Sequence, residues 1–138
     1  MNIIKFSPIF FLLINLGVCD LVPLWDYLGR GEVEQRKYYL EVDRFESLGE
    51  IDFLTDEPKI TAGMAARAAH AELKKLKKSV INFKVQSISI FYMNKKGKRL
   101  YYYEVRFEND DNKSEVVFFI AFDGKVVPSM SLADWKNR

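Results

Sequence analysis

"RLYYYEVRFE", residues 99–108, alternates in a way that decides the fold class. Tyr101, Tyr103, Val105 and Phe107 fall on one side of an extended chain, and Tyr102, Glu104 and Arg106 fall on the other. Such alternation marks a strand of a sheet with one buried face. Just upstream, "FKVQSISIFYM" (83–93) reads as a second strand, and "NKKGK" (94–98) supplies a Gly-containing hairpin loop between the two. Downstream of the polar turn "NDDNK" (109–113), "SEVVFFIAF" (114–122) is apolar on both faces. That strand either lies centrally or has its outer face covered. "DGKVVP" (123–128) adds an Asp-Gly turn and a short terminal strand that Pro128 closes, which suits an edge.

The segment before this meander is the firmest helix. Thr61 offers an N-cap hydroxyl ahead of "AGMAARAAHAELKKLKKSV" (62–80). Ala65, Ala69, Leu73, Leu76 and Val80 form one stripe at helical spacing, the seam of a helix laid on something flat. Lys74, Lys75, Lys77 and Lys78 crowd its last turns, where cations complement the carbonyl end of a helix. They read either as a solvated face or as a contact for an anionic partner. The fold class expected is therefore α+β: one main helix packed on a three- to four-stranded antiparallel meander sheet, with an extra N-terminal strand or helix.

The N-terminal third is less regular. After a turn-rich "PLWDYLGRG" (23–31), Tyr38, Leu40 and Val42 alternate like a strand, while Tyr38, Val42 and Phe45 also recur at helical spacing. The reading taken is a strand over about 37–44 and an extended piece at 50–54. Pro58 then disfavours helix in Glu57. Residues 1–19 have the form of an export signal: Lys5 is the sole charge, 9–14 is an unbroken apolar run, and Gly17 and Cys19 are small. This run is too short to span a bilayer. A cut after Cys19 releases the protein. A cut before it exposes Cys19 for lipidation, with Val18 departing from the small residue usual there. The third reading is a buried thiol. The organisation that follows is 1–19 signal peptide, 20–58 extension of uncertain structure, 59–128 α+β domain and 129–138 polar tail, in which Leu132 and Trp135 fold back.

Without Lys5, the 21 basic residues become 20 against 19 acidic ones, so no overall field favours nucleic acid or an anionic membrane. The membrane enters only through a lipidated Cys19. A single cysteine excludes a disulfide framework, and packing must hold the domain together. The chemistry inventory is thin. His70 stands beside Arg67 and Lys74 with no orienting partner in the sequence, and reads as an exposed or boundary histidine. "ENDD" (108–111) lacks the Gly and terminal Glu of a calcium loop and reads as a hairpin turn. No His/Cys ligand spacing, phosphate loop or nucleophile elbow is present, so no catalytic, metal or cofactor residue is assigned. Asn112-Lys113-Ser114 matches a glycosylation pattern, but an exported domain without disulfides points to a bacterial envelope.

Over residues 59–128, "ITAGMAARAAHAELKKL", the Gly hairpin, "YYYEVRFEND" and "FFIAFDGKVVP" together resemble the helix and meander of PepSY-like domains, which share a cystatin-like helix-on-sheet form. That resemblance implies an inhibitory, chaperoning or binding role in the cell envelope. Cystatin-type inhibition uses a Gln-x-Val-x-Gly hairpin. "QSISI" from Gln86 lacks its Val and Gly, so no inhibitory residue is carried over.

Two functional classes follow. The first is a non-catalytic module of the bacterial cell envelope, periplasmic, secreted or lipid-anchored, that binds a protein or peptide partner through a sheet face or strand edge. Its candidate contacts are Tyr102 beside Leu100 on the outer sheet face, unless the N-terminal segment covers that face, together with Lys74 and Lys78. The second is a small-ligand carrier or enzyme with a cavity between helix and sheet. The small aliphatic helix stripe favours the first.

Overall fold

The computed structural model describes residues 20–27, 35–77 and 79–138, so the readings on Cys19 and Lys78 lie outside the described residues. In chain order the elements are β1 (Leu21–Tyr27), β2 (Arg36–Glu41), α1 (Val42–Ser47), α2 (Ala62–Leu76), β3 (Phe83–Lys95), β4 (Lys98–Asn109), β5 (Glu115–Ala121), β6 (Ser129–Ser131) and α3 (Leu132–Lys136). The class is α+β. Its strands form two antiparallel three-stranded sheets, β3-β4-β5 and β1-β2-β6.

β4 explains the layering. Its odd-numbered side chains Tyr103, Val105 and Phe107 are buried against Ala65, Ala69 and Leu73 of α2, which have no exposed surface. Its even-numbered Leu100 and Tyr102 turn the other way, into a second core with Val22, Leu24, Tyr38 and Leu40 of the β1-β2-β6 sheet. The order is thus helix, sheet, sheet, and both faces of the middle sheet are covered. The expectation of one buried face is corrected here, because β1 and β2 supply the second cover. β5 fits the same scheme: Phe118 and Ile120 join the helix-side core, and Phe119 and Ala121 the other. β5 is an edge strand in hydrogen bonding, with its outer face covered.

The helix begins where the sequence places it, with the Thr61 hydroxyl accepting from the Met64 N–H at 3.2 Å. It ends at Leu76, four residues short of the expected stripe. Leu76 is consequently 65% exposed, while Val80 packs against the core from the loop beyond. The buried Tyr103 hydroxyl donates to the Ile60 carbonyl at 2.9 Å and fixes the approach to α2 against the sheet.

The turn-rich reading of 23–31 is corrected over 23–27, which belong to β1. Pairing slips between Pro23 and Asp26, so that Leu24 and Trp25 together oppose Tyr38. This bulge lets both side chains face the same core, which hides the strand period from a sequence reading. The expected strand over 37–44 runs instead from Arg36 to Glu41 and turns into α1, and 50–54 form no strand. After the Asp-Gly turn, where Gly124 has φ +85°, only Val126 bridges to Ile120. The chain then leaves the β5 edge. Residues 129–131 pair with β2, Trp135 reaches Tyr39 at 6.0 Å between ring centroids, and the tail is part of the second sheet.

Candidate functional site

The departure of the chain at Pro128 opens a groove of about 680 Å³ beside β5. One wall is Tyr27, Arg36 and Tyr38 of the second sheet, and the opposite wall is Glu72, Leu76 and Lys77 at the end of α2. The floor is β5 itself, from Glu115 to Phe119, with Val126 to Ser129 closing one end.

Hydrogen bonding along β5 determines what the floor offers. Antiparallel residues alternate between bonding one neighbour and bonding the other. On the outer side, the Val127 N–H donates to the Phe119 carbonyl at 2.7 Å and the Ala121 N–H donates to Lys125 at 3.0 Å. Phe119 and Ala121 thus point outward, and so do Val117 and Glu115 in the same phase. Those two lie beyond the point where the chain peels away. Among the described residues, nothing pairs with the outward N–H and C=O of Val117.

The rest of the groove is apolar at its base and charged at its rim. Tyr38 packs edge-on to Phe119 at 4.6 Å and to Tyr27 at 6.4 Å. Burial pushes its hydroxyl pKa above the ordinary tyrosine value, against the opposing pull of Ser129 and Arg36. The Arg36 guanidinium is fixed across the end of the groove, donating from Nε to Ser129 Oγ at 2.7 Å and from Nη2 to the Ser129 carbonyl at 3.1 Å. Glu115 accepts from Arg106 Nη1 at 3.3 Å. Glu72 holds Lys75 at 2.8 Å on the outer side of α2.

The sequence-derived contacts are distributed differently. Leu100 is 2% exposed in the second core, where no partner reaches it without unfolding, which corrects its place in an outer contact surface. Tyr102 is half-buried, stacked on Trp25 at 4.4 Å between centroids and on Phe91 at 6.0 Å. The N-terminal strand covers that face, the alternative that the sequence left open. Lys74 is exposed on the helix, away from the sheet. None of these lines the groove. Its Tyr27, Arg36, Tyr38 and Val117 were not singled out as site residues in the sequence. Pro128, which ends the pairing to β5, was the one local signal of an open edge.

Among the described residues, no group of three or more His, Cys, Asp or Glu side chains is placed to hold a metal ion. No described helix is long and apolar enough to cross a membrane. Neither a protein-family model, nor a curated protein, nor a solved structure matches this chain.

Proposed function

We propose that this chain is an exported, non-catalytic binding module of the cell envelope that takes an extended peptide segment onto the open edge of β5. The observation that carries the reading is the pair of outward Val117 backbone groups at the floor of an aromatic-walled groove. Strand addition uses such groups for affinity and the alternate side-chain positions for selectivity. A peptide lying antiparallel to 115–118 would send one side chain towards Tyr27 and Tyr38 and the next towards Leu76. Apolar or aromatic residues at those two positions suit the walls, with Glu115, Glu72 and Lys77 meeting polar flanks.

The signal pattern of residues 1–19 supports export, and Cys19 decides between release and a lipid anchor. The order of α2 and three antiparallel strands over 59–128 supports the PepSY-like reading of one main helix on a meander. That likeness favours a binding or inhibitory role over catalysis. A second reading has one observation in its favour: the groove volume falls within the range of small-ligand sites, so an apolar small molecule is the alternative occupant.

Val117→Pro separates the two. The Val117 N–H points away from β4, so proline removes the outward donor and leaves the β4-β5 ladder intact. Selection from a random peptide library on the purified protein, followed by amide chemical-shift mapping, should locate hits at Glu115–Phe118. The variant should keep its circular dichroism and bind those peptides at least about tenfold more weakly, the loss of one strand hydrogen bond in a dry groove. Hits that map elsewhere, or a variant that binds as the parent does, overturn the peptide reading.

A further inference from the structure

We propose that β3 is the seam of a homodimer, in which two copies of this chain pair their β3 strands antiparallel about a two-fold axis at Ser89. The inference concerns the edge opposite the groove and does not depend on it. β3 is the outer strand of its sheet along all thirteen residues from Phe83 to Lys95. Lys95 and Lys98 flank the two-residue turn and form a hydrogen-bonded pair, so Met93, Phe91, Ser89 and Ser87 in the same phase bond to β4. Ile88, Ile90 and Tyr92 therefore direct their backbone N–H and C=O outward, where no described residue meets them.

Natural sheets ordinarily protect such an edge with lysine, proline or an inward charge. The one protective device here is a bulge between Val85 and Ser87, and the run from Ser87 to Met93 beyond it contains no lysine, proline or charge. The edge is also apolar on both faces. Ile90 and Tyr92 on the helix side are 47% and 55% exposed, and Phe91 on the other is 44% exposed, because α2 and the second sheet cover β3 only in part. A strand added here would extend both cores at once.

The strand is complementary to itself, which selects a second copy as the occupant. Ser89 is the midpoint of Phe83–Lys95, so a two-fold axis there pairs the strand with itself over nearly its whole length, with one residue skipped at the bulge between Val85 and Ser87. Ile88 then lies opposite Ile90, Ser87 opposite Phe91 and, past the bulge, Val85 opposite Tyr92. Lys84 meets Met93 and Phe83 meets Asn94, so no like charges oppose each other. Moving the axis to Ile90 would set Lys84 against Lys95, and like charges directly opposite are unfavourable. The product is one continuous six-stranded sheet with an isologous interface.

Analytical ultracentrifugation of the purified protein should give a reversible monomer–dimer equilibrium. Ile90→Lys introduces a charge at a half-exposed position and should raise the dissociation constant at least about tenfold with unchanged circular dichroism. Ser89 faces its symmetry mate in a non-hydrogen-bonded pair, where Cα atoms lie about 4.5 Å apart and a disulfide can close. Ser89→Cys, in a Cys19→Ser background, should therefore cross-link under mild oxidation. Protein that stays monomeric into the millimolar range, a dimer unaffected by Ile90→Lys, or a Ser89→Cys protein that fails to cross-link would each overturn the proposal.

Discussion

One buried hydroxyl pins the chain just ahead of the helix to the sheet. Tyr103 is buried, desolvation raises its pKa, and its hydroxyl donates to the carbonyl of Ile60 just before the Thr61 cap. Tyr103→Phe keeps the ring and its packing against Phe122 but strands that carbonyl. Chemical denaturation should show a loss of about 1 to 2 kcal/mol with the slope unchanged. Trp25 is the contrasting residue: its indole Nε1 is buried without an acceptor among the described residues. The ring is held by stacking on Tyr102 and Tyr38 and by the edge of Phe119, so its aromatic contacts outweigh an unmet N–H.

Among the elements, the β3-β4 hairpin is built on a turn whose first residue suits it poorly. Lys96 and Gly97 have φ of +51° and +72°, the left-handed pair that a two-residue hairpin of this hand requires. Glycine adopts that region freely and asparagine tolerates it, whereas lysine does not favour it. Lys96→Asn should raise stability by up to about 1 kcal/mol, read as a higher denaturation midpoint. This hairpin was legible in the sequence because turn and strands are contiguous, and so were the Thr61 cap and the Ala65-Ala69-Leu73 stripe. β1 was not, since the bulge at Leu24 and Trp25 erases its alternation. Nor was the helix end at Leu76, because the lysines that follow favour helix as readily as coil. The groove was illegible for a different reason: it exists only where the chain leaves the β5 edge to enter β6 of the other sheet, a pairing that no local pattern encodes.

At the scale of the molecule, one ion pair ties the two sheets together. Arg44 of α1 donates from Nε to Asp123 Oδ2 at 2.7 Å and from Nη2 to Oδ1 at 2.9 Å, and it also reaches the carbonyls of Lys125 and Val126. Burial opposes ionisation of Asp123, but the Arg44 hydrogen bonds, the Lys125 N–H and the nearby positive charges outweigh it and hold the carboxyl below its usual range. A carboxyl depressed in the folded state adds stability that is complete above its unfolded pKa and vanishes as pH falls through the folded value. Arg44→Ala should cost about 1 to 2 kcal/mol near neutrality, after allowance for solvent screening of a partly open pair. The difference from the parent should shrink below about pH 4, measured by denaturation at several pH values. The same two-sheet plan also governs the order in which the molecule is completed. Arg36 and Ser129, joined by a side-chain hydrogen bond across the β2-β6 ladder, are 93 positions apart in the chain. A polypeptide emerging amino end first must leave that seat vacant until almost everything else has followed, and closure over so long a separation is slow. Late closure of this kind keeps a nascent chain threadable, which suits the export proposed above.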